Sequence, residues 1–270
     1  MKNINSNKKE LAPEPNKLSV GIIGAGQIGS AVIRQYTKAG HRVKFTNASG
    51  VEKLKSLAIE TGASAVTIGD VVTEVDVIVI AIPLIEVPKL AKQLLNNISA
   101  KTTIVDTCNY YPIRDGKIED IENGMPESVW VSNQLQRPVI KAYNSILAGS
   151  LINSGLAKGT ASRIALPISG DDKSSKNLVS ILVNDSGFDA VDIGSLQNSW
   201  RQQPGSPIYC TDLTSAQLKQ SLTKAKKEVL PERRELALQF ILKQDPKQWM
   251  DWWKECVQNN RIIYESDLTV

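Results

Sequence analysis

The chain has 270 residues, 41 % hydrophobic and 22 % charged, an ordinary balance for a folded protein and enough length to bury a sizeable core. Its formal charge of +4 comes from Lys and Arg dispersed among Asp and Glu. No sustained basic stripe is present to neutralise a phosphate backbone, so no nucleic-acid partner is expected. Cys108, Cys210 and Cys256 are odd in number and far apart, which indicates neither a disulfide framework nor a thiolate zinc site and suits a reducing compartment.

Residues 1–17, rich in Asn, Lys and Pro, read as a disordered polar tail without the apolar stretch of a signal peptide. Leu18–Ile23 is a short run rich in β-branched residues that ends in a glycine cluster, as a buried strand does. Ile28, Val32, Ile33 and Tyr36 then recur at helical spacing between Gln27 and Ala39, with Gly40 placed to end the helix. Arg42–Thr46 predicts a second strand and Val51–Glu60 a second helix. Asp76–Ile82 is a continuous apolar strand that must be covered on both faces. The apolar run 75–87 around it is interrupted by Asp76, Pro83 and Glu86 and is too short to span a bilayer, so a cytoplasmic protein with no membrane partner is expected. A helix over Leu90–Leu95 and strands at Thr102–Asp106 and Val139–Ala142 follow.

Strands alternating with amphipathic helices at these spacings predict an α/β fold with a Rossmann-type, doubly wound, mostly parallel sheet over residues 18–150. A small C-terminal α/β lobe is expected over 151–212, built from strand Arg163–Ile168, helix Lys173–Asp185 and strand Phe188–Ile193, and packed on the first sheet. Residues 213–270 read as a helical tail. Leu218, Leu222, Ala225 and Val229 share a helical spacing, Pro231 breaks it, and a second helix runs through Phe240 and Leu242. Trp249, Trp252 and Trp253 fall on one face of a further helix, where they either dock the tail or line a pocket. A homodimer packed through this tail and burial within one chain fit the pattern equally.

Gly24-Ala25-Gly26-Gln27-Ile28-Gly29 is Gly-x-Gly-x-x-Gly between a predicted strand and a predicted helix, the context that gives the pattern meaning. Gly24 permits the tight turn, Gly26 lets the backbone approach a pyrophosphate, and Gly29 lets the helix sit close to the sheet. Gly24, Gly26, Gln27, Ile28 and Gly29 would hold the diphosphate, which rests on the free N–H groups at the helix start. Where an NAD site carries an acidic residue after the second strand, this chain has Thr46-Asn47-Ala48-Ser49-Gly50. No carboxylate repels a 2′-phosphate there, Asn47 and Ser49 offer neutral donors, and NADP is favoured over NAD. The loop lacks an Arg to grip the phosphate in two places.

Ala81-Ile82-Pro83 ends the apolar strand near the crevice where such sheets bind ligands. Pro83 either turns backbone groups toward a nicotinamide or simply stops the strand. Asn109 occupies the same position after the next strand and is a candidate nicotinamide or substrate contact. Cys108, with no cation or His evident beside it, reads as a small apolar filler. His41, the single histidine, lies away from the crevice, which removes mechanisms that need a histidine acid or base. No metal site is indicated. Lys141 and Asn144 are weak catalytic candidates, because a Lys/Asn pair of the β-hydroxyacid dehydrogenase kind would sit on a helix and here the segment reads as a strand.

Together these motifs resemble the coenzyme F420-dependent NADP oxidoreductase family, whose domain type also occurs in the STEAP reductases. The likeness rests on Gly24–Gly29, Thr46–Gly50, Ala81-Ile82-Pro83 and Lys141-Ala-Tyr-Asn144, and is extended by Pro167–Asp172 and Gly187–Gly194. It implies NADPH in the crevice and hydride exchange with a planar acceptor such as F420 or a flavin, a small-molecule partner. The family places Ser-Arg where this chain has Ala48-Ser49, and Trp200-Arg-Gln-Gln-Pro-Gly205 and the tail lie outside the family core. Trp200 and Arg201 either close the acceptor side or form a surface turn with Pro204 and Pro207. The expected function is therefore an NADP-dependent oxidoreductase that works by positioning. A non-catalytic NADP(H)-sensing or partner-binding protein and an imine or β-hydroxyacid reductase are the alternatives.

Overall fold

The computed structural model describes residues 17–94 and 97–265. The expected tail, apart from Lys17, and Leu95 at the end of the third helix lie outside them.

Strands β1 (Ser19–Ile23), β2 (Arg42–Thr46), β3 (Ser64–Ala65), β4 (Val77–Ile80), β5 (Thr103–Asp106) and β6 (Ile140–Lys141) form one parallel sheet in the order β3-β2-β1-β4-β5-β6. This is a doubly wound, Rossmann-like α/β arrangement, whose chain reversal falls between β1 and β4. Every second side chain points to the opposite face. Val77 and Val79 therefore join Val20, Ile22 and Phe45 under helices α1 (Gln27–Lys38) and α8 (Lys173–Asp185), while Ile78 and Ile80 join Ile23 and Ile104 under α3 (Val87–Leu94) and α6 (Glu127–Leu135). The register aligns Thr46, Ile23, Ile80, Asp106 and Lys141 in one row across five strands. That row is the carboxyl edge of the sheet, and the functional loops leave from it.

Several local expectations are corrected. The second helix opens as a 3-10 turn at Val51–Leu54 before α2 (Lys55–Thr61). The short helices α4 (Pro112–Asp115), α5 (Glu119–Glu122) and α7 (Ala148–Asn153), with α6, fill segments that carry no strong apolar period. Helix α9 (Ser215–Leu222) stops before Ala225, so Ala225 and Val229 belong to a turn and a 3-10 segment. Pro231 does not separate helices but sits in the first turn of α10 (Leu230–Leu242), where its missing N–H costs nothing. Trp253 of α11 (Trp249–Glu265) lies directly over Gly149 of α7, where any Cβ would overlap the indole. Arg261 donates to the carbonyls of Thr211 and Asp212, at 2.7 and 2.9 Å, and Asn260 to that of Cys210, so α11 is docked on the body.

Strands β7 (Ala165–Ile168) and β8 (Asp189–Asp192) pair in parallel around α8. Lys141 and Ser169 exchange backbone hydrogen bonds that attach this unit to the edge of the main sheet. Leu166, Ile168, Val179, Leu182, Val183 and Phe188 share one apolar core with β1 and α1. Arg163, 1 % exposed, pins the unit from behind. Its guanidinium donates to the carbonyls of Leu156, Gly187 and Asn184, to the Asn184 side chain and, at 2.7 Å, to Asp189. Replacing Arg163 by Met strands these acceptors, and urea unfolding should show a loss of about 3–5 kcal/mol. A loss under 1 kcal/mol would show that the network is not a structural anchor.

Candidate active site

The first half of the site is made of backbone. Gly24, at φ 105°, turns the chain out of β1 beneath β4, and a Cβ there would overlap the Ala81 carbonyl. Gly29 in turn lies against the Gly24 carbonyl, with no room for a Cβ. Gly26 is the opposite case: a Cβ there would meet nothing within 4 Å. It is the N-cap of α1, and no side chain caps the helix, whose first turn holds Gln27, Ile28 and Gly29. A concave backbone surface with unclaimed N–H groups and a helix dipole behind it suits an anion.

The flanking loops follow the aligned row. Thr46 is buried and its carbonyl accepts from Gly24 N at 2.9 Å. Asn47 Oδ1 accepts from Ser49 N at 2.9 Å, a turn that leaves Ser49 exposed beyond β2 with no acidic residue among 46–50. Ala81 and Ile82 are half-buried, Pro83 is exposed, and Pro83 caps the 3-10 turn Leu84–Glu86. These residues fit a dinucleotide: the glycines leave space for its diphosphate and the loop after β2 tolerates a 2′-phosphate.

The second half of the edge is polar and closed. Asn144 Nδ2 donates to Asn109 Oδ1 and, at 2.7 Å, to the Gln202 carbonyl, Asn109 Nδ2 donates to the Asn144 carbonyl, and Gln202 Nε2 donates to Asn144 Oδ1 at 2.8 Å. Asn109 is half-buried at the rim, whereas Asn144 faces protein on every side-chain atom. Lys141 is fully buried. Its ammonium donates to the Cys108 carbonyl and, at 3.2 Å, to Asp106 Oδ2. Asp106 also accepts from Cys108 N at 2.8 Å and Ser128 Oγ at 2.6 Å. Burial pushes the Cys108 thiol well above its usual range, with the Asp106 carboxylate adding to the effect. A thiolate nucleophile is not available there. His41 lies under β1, its Nδ1 accepting from Leu18 N, and burial lowers its pKa.

Sequence reasoning missed Glu127, the first residue of α6. It is 1 % exposed, and its Oε2 lies 3.9 Å from Lys141 Nζ without a hydrogen-bond partner. Burial raises its pKa to about 7 despite the opposing field of Lys141. The cue in the sequence was Pro126-Glu127 at a helix start, but nothing local indicates that the helix aims Glu127 at a lysine 14 positions on. Glu127 also borders a cavity of about 400 Å³, walled by Tyr110, Met125, Trp200, Gln203, Leu230 and Pro231. Among the described residues no group of three His, Cys, Asp or Glu side chains could hold a metal, and no helix is long and apolar enough to cross a membrane.

A carboxyl that ionises near 7 when folded and near 4.5 when unfolded binds its proton more tightly in the folded state. Its stabilising contribution is full below about pH 4.5 and is lost as pH rises through about 7. Glu127→Gln should therefore gain stability relative to the parent between pH 5 and pH 8, by about 3 kcal/mol. Urea unfolding at both pH values tests this, and a constant difference would show that Glu127 is ionised throughout.

Residues 19–110 match the model of a family described as NADP oxidoreductase, coenzyme F420-dependent. Protein YjhV of Escherichia coli K12 is 37 % identical over 92 residues, a match that spans 34 % of this chain and 60 % of that relative. Among solved structures, the hypothetical protein SMa0349 of Sinorhizobium meliloti superposes with a TM-score of 0.65 at 29 % identity, covering 73 % of this chain and 95 % of that one. A candidate F420-dependent NADP reductase from Arthrobacter sp. FB24 superposes with a TM-score of 0.57 at 17 % identity, covering 67 % and 87 %, and supports the fold. The glycine turn, the loop after β2 and the β4 end all lie within the segment that matches this family model.

Proposed function

We propose that this chain is an NADP-dependent oxidoreductase that exchanges a hydride between NADPH and a small planar acceptor such as F420 or a flavin. The observation that carries the reading is the Gly24–Gly29 turn, closed against Ala81 on one side and open above Gly26 on the other. Bound NADPH supplies the hydride. The α1 N-terminus holds its diphosphate, Asn47 and Ser49 donate to the adenosine ribose, and Ala81, Ile82 and Pro83 support the nicotinamide half beside Asn109. Lys141, enclosed and engaged with Asp106, keeps the β5 and β6 ends in place and is not a proton donor to substrate. Most of the rate comes from holding two rings face to face and excluding water.

Anaerobic NADPH oxidation by the purified protein, with F420 and FMN as acceptors and a no-acceptor control, tests the reading. Turnover well above the control is expected with one of them. NADPH binding without turnover would favour a sensing or partner-binding protein instead. Gly26→Ala should weaken NADPH binding about tenfold or more with an unchanged melting temperature, whereas Gly24→Ala and Gly29→Ala should destabilise the fold itself by roughly 1–3 kcal/mol or more. Unaltered NADPH affinity in Gly26→Ala would remove the diphosphate from this turn.

A further inference from the structure

We propose that the cavity between residues 121–127, 200–204 and 227–234 seats the hydride acceptor, and that Glu127 at its border is the acid that protonates the reduced ring. This rests on the NADPH-dependent reading above and adds the acceptor's place and its proton source.

Three observations carry it. The cavity lies beside the carboxyl end of β5: Tyr110 on its wall directly follows Asn109, and Gln203 directly follows the Gln202 that is bonded to Asn144. Its volume of about 400 Å³ and its walls suit a flat, partly apolar ring. Met125, Leu230 and Pro231 supply apolar surface, and Trp200 is fixed by Arg201 stacked 4.4 Å over its ring. Finally, Glu127 bridges cavity and core. Its backbone N–H donates to the Gln203 side-chain oxygen at 3.4 Å, while Oε2 faces the Lys141 ammonium at 3.9 Å without a bond to it. Glu127 stays protonated because Lys141 is already matched by Asp106, and the Lys141 ammonium 3.9 Å away offsets part of the charge left when the proton is given up.

The step balances. The C4–H bond of NADPH breaks and that hydrogen forms a new bond to the acceptor, at a ring carbon in F420 or at a ring nitrogen in a flavin, leaving NADP+. The displaced electron pair of the acceptor's double bond moves to a ring nitrogen, which takes the Glu127 proton. The Glu127 carboxylate faces Lys141 until it regains a proton from solvent.

FMN and F420 serve as probes, their fluorescence followed in protein saturated with NADP, and NADPH affinity is measured separately by calorimetry. At least one probe should bind. Glu228→Trp, a bulky change at an exposed residue lining the cavity, should weaken that binding more than tenfold with NADPH affinity unchanged within about twofold. Turnover with the bound probe should fall about tenfold per pH unit above about pH 7, and Glu127→Gln should be slower by about 10²-fold at pH 6 with that limb absent. Glu127→Asp should restore part of the rate and the limb. The protonated carboxyl stretch in the infrared should titrate in the parent and be missing from Glu127→Gln, without any turnover. A protein that binds NADPH but neither probe, or probe binding indifferent to Glu228→Trp, would overturn the seat and leave the NADPH reading standing. A pH profile or carboxyl band identical in Glu127→Gln would overturn the acid. A parent that binds no NADPH would overturn both readings.

Discussion

A lysine ammonium shut away from water sets the terms for one half of the sheet edge. Removing such a charge from solvent costs several kcal/mol, and the loss is offset only where partners surround it closely. Lys141 finds Asp106 on the neighbouring strand, directly across in register, and the Cys108 carbonyl just beyond. Asp106 then has one oxygen left to fix the turn after β5, through Cys108 N, while the oxygen facing Lys141 also receives Ser128 at the start of α6. One ion pair thereby dictates where β5 ends, how the chain leaves it and where α6 begins. Glu127 inherits the consequence. The ammonium beside it is already matched by Asp106, so a second carboxylate would be excess negative charge in a dry place, and its proton is retained to about pH 7.

The other half of the edge works by having no side chains. Gly24 and Gly29 bring β1, β4 and α1 closer than any Cβ permits, and this closeness leaves the start of α1 bare above Gly26. An ion pair there would compete with an anionic ligand for the helix N-terminus. A glycine turn at the β5 and β6 end would leave Lys141 without partners. The two constructions occupy different strands of one aligned row, and the crevice lies between them.

Backbone-driven features were legible in the sequence because they depend on local spacing. The glycine turn, the apolar β4 and the α1 stripe Ile28, Val32, Ile33 and Tyr36 each follow from residues a few positions apart, and the fold class follows from their alternation. Helix boundaries in 112–153 and 215–231 were not, since α4, α5 and α7 are held by tertiary packing and not by a long apolar period. Pro231 reads as a breaker in isolation and as a helix starter once Val229 and Leu230 are seen to enter α10. The pairing of Asp106, Glu127 and Lys141 is a matter of strand register and helix aim. Asn144 likewise looked exposed to chemistry in sequence and is enclosed by Gln202, 58 positions later.

The Trp200–Gly205 motif and the tail, which the sequence left as either a surface turn or part of a site, are explained by one close approach. Gly205, at φ 93°, lies where a Cβ would overlap the Leu230 carbonyl. Leu230 begins α10, so the glycine sets how near that helix comes to Trp200 and Gln203. A few tenths of an ångström there change the width of the space bordered by Glu127, because Leu230, Pro231 and Arg234 form its outer wall. Arg234 in turn covers the Tyr110 ring at 5.3 Å, which couples the tail to the end of β5. The docking of α11 through Trp253, Asn260 and Arg261 holds the same wall from behind, for α10 packs on α11. The tail therefore belongs to the geometry of the cavity, and changes deep in α11 reach it through α10.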